Sequence, residues 1–225
     1  MFKLKNNTIF IADSHYSTKK TQLYILLNNI YNNTLKVNQL ILMGDIFDFL
    51  SDDITYFKQQ NIKVIDLLNK IGNKIEVIYF EGNHDFNLKN IFPNIIIIPR
   101  YNQPIPIIHN NITIKLAHGD IFTPFLYNLY CTIIRNKLFL QLINLIDINN
   151  FISKKVERWL NHKSICHKNR NFNIDKRIKN YNCDLVIEGH FHQEILTKHY
   201  INIPSLHCSK KYLLYKDDKF SFQSI

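Results

Sequence analysis

Thr8-Ile9-Phe10-Ile11-Ala12-Asp13-Ser14-His15 is a run of β-forming apolar residues that stops on three polar ones, and four later stretches repeat the arrangement. Leu40-Ile41-Leu42-Met43 leads into Gly44-Asp45-Ile46-Phe47-Asp48, and Ile75-Glu76-Val77-Ile78-Tyr79-Phe80 into Gly82-Asn83-His84-Asp85. Ile112-Thr113-Ile114-Lys115-Leu116 precedes His118-Gly119-Asp120, and Leu185-Val186-Ile187 precedes Gly189-His190-Phe191-His192. Short apolar runs rich in Ile and Val read as buried strands. Open α/β sheets place their chemistry just beyond the carboxyl ends of such strands. The pattern predicts an α/β fold whose strands deliver these polar blocks to a common site.

Asp, Asn and His offer hard oxygens and borderline nitrogens, and no Cys falls in any block. That mix suits Mn²⁺, Fe or Zn²⁺ better than a thiolate site, and so many imidazoles disfavour Mg²⁺. One ion takes three or four protein ligands and keeps a position open. Asp13, His15, Asp45, Asn83, His118, His190 and His192 are therefore too many for one ion and fit two. Two ions about 3.5–4 Å apart can clamp a phosphoryl group and generate hydroxide near neutral pH. Asp48, Asp85 and Asp120 read as groups that accept N–H bonds and orient ligating imidazoles or loops. An isolated histidine is more often a surface or core residue than a ligand. Five of the ten histidines fall inside the short blocks; His109, His162, His167, His199 and His207 read as structural.

With 225 residues, 46% of them hydrophobic, and only 5 Gly and 6 Pro, the chain is expected to form one domain over residues 1–225. Helical spacing of Leu23, Leu26, Leu27 and Ile30 predicts a helix over 18–32 after a Ser17/Thr18 cap. A second helix is predicted over 54–71, ended by Gly72. Strands follow at Asn94–Pro99, Ile105–His109 and Ile112–Leu116, the last two joined by an Asn110-Asn111 hairpin turn. Others are expected at Glu194–Ile203, Tyr212–Lys216 and Phe220–Phe222, with a tight turn at Asp217-Asp218. Cys131, Cys166, Cys183 and Cys208 show no CxxC spacing and read as reduced thiols. Met1-Phe2-Lys3-Leu4-Lys5 runs straight into the first strand, leaving no room for a cleavable signal peptide. No uninterrupted apolar stretch reaches the roughly 18 residues of a spanning helix. The expected location is cytoplasmic, in solution or on a membrane surface from that side.

Residues 121–182 form the expected insertion, a helical lid. Phe125, Leu129, Ile133 and Ile134, then Leu138, Leu142, Leu145 and Ile146, recur at helical spacing. The same segment carries 11 Lys/Arg against 3 acids, which is +8 of the chain's formal +10. An apolar helical pair beside a basic patch suits an amphiphilic phosphate-bearing substrate or an anionic membrane surface. Lys163, Lys168 and Arg170 are candidate phosphate contacts on charge and position. Packing against the domain or a second subunit, with solvated charges, would leave the same pattern, so oligomeric state stays open.

The order and content of the five blocks resemble the calcineurin-like metallophosphoesterase superfamily from Asp13 to His192. The resemblance implies that superfamily's α/β (α+β) sandwich of two mixed β-sheets flanked by helices. In its pattern Asp13, His15, Asp45 and His192 would hold one metal. Asp45, Asn83, His118 and His190 would hold the other, with Asp45 bridging. His84 would contact phosphate or act as donor or general acid to the leaving group. The Gly44-Asp45-Ile46-Phe47-Asp48 and Gly82-Asn83-His84-Asp85-Phe86 blocks, and the placement and length of the insertion, resemble the UDP-2,3-diacylglucosamine hydrolase branch of lipid A biosynthesis. That branch implies Mn²⁺, a UDP-linked glycolipid substrate cleaved to UMP and a lipid 1-phosphate, and peripheral attachment at the cytoplasmic face of the inner membrane. Better-known members of the branch have Arg where this chain has His84; His is the general superfamily residue. A metal-dependent nuclease is the first alternative, favoured by a pI near 9.3. Against it, Phe122, Phe125, Tyr127, Tyr130 and Phe139 alternate with aliphatics at helical spacing, so no nucleic-acid partner is expected. A soluble nucleotide or protein phosphatase has no evident use for an apolar lid, and a non-catalytic scaffold would be expected to have lost some ligand positions.

Overall fold

The computed structural model describes residues 2–163, 165–166 and 172–225. The first half alternates: β1 (Thr8–Ile11), α1 (Gln22–Tyr31), β2 (Gln39–Leu42), β3 (Leu50–Ser51), α2 (Thr55–Gly72), β4 (Glu76–Phe80), β5 (Asp85–Phe86) and β6 (Ile96–Ile98). An antiparallel hairpin, β7 (Ile105–His109) and β8 (Ile112–Ala117), precedes four helices, α3 (Phe125–Ile134), α4 (Lys137–Ile146), α5 (Phe151–His162) and α6 (Ile174–Tyr181). The chain closes with β9 (Leu185–Glu188), β10 (Ile195–Leu196), β11 (Tyr200–Asn202), α7 (Leu206–Ser209), β12 (Lys211–Lys216) and β13 (Lys219–Ser224).

One sheet has the order β13-β12-β1-β2-β4-β6 and the other β10-β11-β9-β8-β7, with β3 and β5 a separate pair. β1, β2, β4 and β6 run parallel, with Ile9 opposite Leu40 and Leu40 opposite Val77. In the second sheet β8, β9 and β11 are parallel, with Leu116 opposite Ile187. Parallel strands covered on both faces need near-continuous apolar sequence, and every residue of β1 and β2 is buried.

Side-chain alternation then divides each strand between two cores. Phe10, Ile41, Met43, Ile78 and Phe80 face the other sheet and meet Ile114, Leu116, Ile187 and Ile201. Ile9, Ile11, Leu40, Leu42, Val77 and Tyr79 point the opposite way, onto Leu23, Leu26 and Leu27 of α1 and Val64 and Leu68 of α2. On the far side of the second sheet Val186 and Tyr200 pack with Tyr181 of α6. The layers are thus helices, sheet, sheet, helix. Burying each such aliphatic stabilises by about 1.5–3 kcal/mol.

Several boundaries differ from the sequence expectation. α1 begins at Gln22, not residue 18, and Thr21 at its N-cap makes no side-chain cap bond. The preceding residues are drawn elsewhere: Tyr16 N donates to Ile46 O at 2.8 Å, and Lys20 Nζ lies 2.7 Å from both oxygens of Asp48. α2 runs through Gly72, with Asn73 as its C-cap. The expected strand Glu194–Ile203 is split into β10 and β11 by a turn in which Thr197 N donates to Tyr200 O at 3.0 Å. Both hairpin turns appear as read, with left-handed Asn110 and Asn111 (φ 47 and 62) and Asp217 and Asp218 (φ 48 and 59).

Two cysteines correct the expectation of reduced thiols. Cys166 and Cys208, 42 residues apart in sequence and 5.5 Å apart at Cα, form a disulfide, whereas Cys131 and Cys183 are free. Pairing over that distance carries no local spacing signal. It ties the segment just after α5 to α7.

Truncation in the inter-sheet core leaves a cavity that the two sheets cannot both close. Phe10→Ala, at a fully buried site, is expected to lower unfolding free energy by about 3–5 kcal/mol. Leu126→Ala, 76% exposed on α3, should stay within about 0.5 kcal/mol. Urea midpoints at unchanged slope read both.

Candidate metal centre

The five polar blocks meet at the carboxyl ends of β1, β2, β4, β8 and β9. Three clusters form among the described residues: Asp13, His15 and His192; His15, Asp45 and His84; and Asp45, His118 and His190. Within each cluster the potential ligand atoms lie within 4.8 Å of one another. Asp45 belongs to two of them, between the outer groups. Asn83 completes the set, its Oδ1 3.3 Å from His118 Nε2, which is 3.5 Å from Asp45 Oδ1. His192 Nε2 lies 3.2 Å from Asp13 Oδ1. All seven candidate ligands are therefore brought together.

The backbone that presents them is strained. Asp13, His15, Asp45, His190 and His192 have φ of 50, 43, 52, 64 and 55, in the left-handed region that non-glycine residues avoid. Each such residue costs on the order of 1–3 kcal/mol and persists only where its surroundings hold it. Here the loops hold one another. Asp13 N donates to Gly44 O at 3.1 Å, His15 N to Asp45 O at 3.0 Å, His84 N to Asp45 Oδ1 at 2.9 Å, and His190 N to Asp13 Oδ2 at 2.8 Å. Gly44 (φ +85) admits no side chain, because a Cβ there would lie 2.4 Å from His118 Nδ1.

Carbonyl acceptors fix three imidazole tautomers, since a carbonyl can only accept. His118 Nδ1–H donates to Met43 O at 2.8 Å, His192 Nδ1–H to Ile165 O at 2.9 Å, and His84 Nδ1–H to Asp48 O at 2.6 Å. In each case Nε2 is left facing the centre. The three outer aspartates orient loops in different ways. Asp85 Oδ1 accepts from Asp45 N and Gly82 N at 3.0 and 2.9 Å, while Oδ2 takes Ile46 N and the Tyr79 hydroxyl at 2.5 and 2.7 Å. Asp48 holds Lys20 and places Oδ1 3.6 Å from His15 Nδ1. Asp120 takes its donors from guanidinium groups: Arg100 Nε at 2.8 Å and Arg135 Nη2 at 3.4 Å. The same Arg135 Nη2 donates to Gly82 O at 2.7 Å.

Electrostatically the centre is arranged for a cation. Burial alone would push the Asp45 carboxyl up, but His118, His84, His15 and His190 around it hold it far below the usual carboxylate range. Burial, then His84, keeps His15 neutral well below its ordinary value; burial and His118 bring His190 down to about 4. Burial also works against His118, yet Asp45, Asp120 and Asp13 outweigh it and push it up to about 9. The field that favours a proton there favours a metal ion equally. Asp13 Oδ1 and His15 Nδ1 are buried without a well-formed hydrogen bond, their nearest polar neighbours being His192 Nε2 at 3.2 Å and Asp48 Oδ1 at 3.6 Å, a costly state unless a cation completes them. Nitrogen and oxygen donors with two orphaned atoms fit a divalent metal centre.

A cleft opens over this centre, lined by His15, Asp45, Asn83, His84, His190, His192 and, from the end of α5, Lys163 and Ile165. Lys163 is among the residues that line the cleft. Lys168 and Arg170 lie outside the described residues. Lys20, Arg100 and Arg135 escaped the sequence reading as site residues. They carry no motif, and a basic residue finds its buried carboxylate only through the fold.

Residues 7–194 match the calcineurin-like phosphoesterase family. A relative from Blochmanniella floridana named UDP-2,3-diacylglucosamine hydrolase is 27% identical over 203 residues, covering 82% of this chain and 79% of its own. A protein of the same name from Blochmanniella pennsylvanica is 30% identical over 217 residues, with 85% and 81% covered. Among solved structures, a dimetal phosphatase from Danio rerio, 10% identical, aligns over 97% of this chain and 95% of its own with a TM-score of 0.47. Given the converging ligand set and a family match across most of its length, the chain belongs to the calcineurin-like phosphoesterase family, metal-dependent hydrolases with a dinuclear divalent-metal site.

Proposed function

We propose that this hydrolase cleaves the pyrophosphate of UDP-2,3-diacylglucosamine to UMP and a lipid 1-phosphate, working as a peripheral protein on the cytoplasmic face of the inner membrane. One juxtaposition carries the proposal: the polar cleft over the candidate metal centre is bordered by helices whose outer face is apolar and exposed. Phe125, Leu138, Leu145 and Phe151 are each at least 67% exposed, so the helices between β8 and β9 leave several large apolar side chains in water, as surfaces that bind lipid or protein do. The helices are anchored beside the site. Arg135 bonds Gly82 O, and Leu140 packs with Phe57 and Phe86, next to Asp85. A substrate with phosphates in the cleft would lay its acyl chains on that face. The relatives' shared name supports the same substrate. Among the described residues no helix is long and apolar enough to cross a membrane.

In this reading Asp13, His15, Asp45 and His192 hold one ion, and Asp45, Asn83, His118 and His190 the other. Mn²⁺ is the proposed metal, with Fe or Zn²⁺ as alternatives. When bound, such a pair supplies positive charge to the phosphoryl oxygens and lowers the pKa of water. The rest falls to the chain's own groups. Asp85 and Asp120 keep the loops of Asp45, Asn83 and His118 in register, and Asp48 fixes Lys20 and the His84 ring. His84 Nε2, when protonated, can donate to the phosphate or the departing oxygen. The Lys163 ammonium pairs with a phosphate oxygen, and Lys168 and Arg170 belong to the same basic segment.

The direct test is UMP release from UDP-2,3-diacylglucosamine in detergent micelles by Mn²⁺-loaded protein. Chelation should abolish it. His118→Ala should lower kcat/KM by more than the roughly 10–100-fold typical of losing a group that only orients a ligand. Absence of UMP together with brisk hydrolysis of a generic phosphodiester would refute the lipid substrate and leave the metal centre standing. Lys163→Ala is expected to raise KM by about 10–100-fold at similar kcat, as a charge-assisted contact contributes about 1.5–3 kcal/mol. On vesicles containing anionic lipid, Leu138→Glu combined with Leu145→Glu should weaken association about tenfold or more and spare hydrolysis of a soluble phosphodiester.

A further inference from the structure

Glu188 is a charged residue at the end of an otherwise apolar strand, fully buried, and it immediately precedes the block that carries His190 and His192. Its partner is Arg177 of α6, 8% exposed. Arg177 Nε donates to Glu188 Oε1 at 2.8 Å and Nη2 to Oε2 at 2.6 Å, a bidentate pair. The Tyr181 and Tyr200 hydroxyls each donate to the same carboxylate at 2.5 Å. The guanidinium does not stop there. Nη2 also donates to Gly119 O at 3.0 Å and Nη1 to Ile121 O at 3.4 Å, and its carbon lies 4.7 Å over the Phe191 ring. One side chain therefore grips both turns, the one that follows His118 and the one that carries His190.

Those turns lie against each other. Gly189 N donates to His118 O at 2.8 Å, and the His118 and His190 rings are 5.0 Å apart and near perpendicular. Gly119 (φ +120) permits this approach, since a Cβ there would come within 3.1 Å of His190 Cβ. A buried ion pair seldom adds net stability, because removing two charges from water costs about what their attraction returns. It does fix geometry: the planar guanidinium fork allows one arrangement of its acceptors.

We propose that Arg177 and Glu188 are positioning residues that set the spacing of His118 and His190, and with it the occupancy of the metal position those two share with Asp45 and Asn83. The position formed by Asp13, His15 and His192 is reached by neither side chain. This rests on the dinuclear reading above and extends it: the two positions share Asp45 and meet where His190 N donates to Asp13 Oδ2, but the Arg177–Glu188 brace acts on the His118 and His190 turns, so its loss weakens one position more than the other.

Manganese alone is the probe, with equilibrium dialysis giving stoichiometry and affinity and electron paramagnetic resonance reporting the exchange-coupled Mn²⁺ pair. Removing only Arg177 would strand a buried carboxylate and threaten folding. The main variant is therefore Arg177→Met with Glu188→Gln, which removes both charges, keeps an oxygen for one tyrosine hydroxyl to donate to and offers the other an amide N–H to accept. It should bind one ion with wild-type affinity and a second about 10–100-fold more weakly, as loss of a group orienting a ligand does, and lose the coupled signal at limiting Mn²⁺. Arg177→Lys, keeping the charge without the fork, should fall between. Two ions bound as in wild type with the coupled signal intact, or equal weakening of both positions in step with the urea midpoint, would overturn the proposal. A wild-type chain that binds fewer than two ions would refute the dinuclear reading itself, and this inference with it.

Discussion

A carboxylate buried to within 3% of full exclusion from water, as Asp45 is, cannot keep its charge without cations close by. The local architecture answers that requirement. The His118 imidazole, pushed up to about 9, lies 3.5 Å from it, the His84 amide donates to it, and the backbone around it is tied to the neighbouring loops. Because those loops supply the ligands, satisfying Asp45 and assembling the centre are the same event. The strained residues are affordable only in that context: Asp13, His15, Asp45, His190 and His192 are each held in the left-handed region by a fold that fixes the strands below them.

What a linear reading could see of this was periodic or local. β1, β2, β4 and β9 were legible because parallel strands buried on both faces require nearly unbroken apolar runs, and β8 because its apolar residues alternate with Thr113 and Lys115. The blocks were legible because ligand chemistry restricts residue type. Asn110-Asn111 and Asp217-Asp218 were legible because few residues tolerate positive φ. Two of the failures depend on a distant partner, and the third on a local turn without Gly or Pro to mark it. The start of α1 is set by Lys20 reaching Asp48, the break between β10 and β11 by a hydroxyl-capped turn at Thr197, and the disulfide by α7 folding back beside the end of α5. Arg177 looked like one more charge in a basic segment. Glu188 was the readable clue, since an unpaired carboxylate at the end of a buried strand would be prohibitively costly.

The helices between β8 and β9 divide their residues by the same economy of contacts. On α4, Leu140 is buried with Phe57 and Phe86 while Leu138, Leu142 and Leu145 are exposed, and α5 buries Leu160 but leaves Trp159 60% exposed. Apolar residues around most of a helix normally indicate burial on every side. Here one side is covered by the domain and the other is exposed. α6, the last of the four, reverses the pattern: its buried residues are Arg177 and Tyr181, and it turns polar groups inward to the metal loops.

The layering gives this arrangement its mechanical sense. Asp13, His15, Asp45 and Asn83 follow strands of the six-stranded sheet, whereas His118, His190 and His192 follow strands of the five-stranded one. Each proposed metal position draws ligands from both sheets, so an ion bound in either is a crosslink between layers otherwise joined by apolar contact. Ligand binding to the folded state alone stabilises it by mass action, and here that stabilisation acts across the inter-sheet core. Positioning one sheet's ligands against the other's is then the exacting part of the design. His192 is referenced to the six-stranded sheet through Asp13 and to the helices through Ile165, while His118 and His190 are referenced to each other through Gly119, Gly189 and the Arg177 fork. Unequal bracing of the two positions follows from the topology: α6 holds the loops of β8 and β9, which supply His118 and His190 to one position and His192 alone to the other.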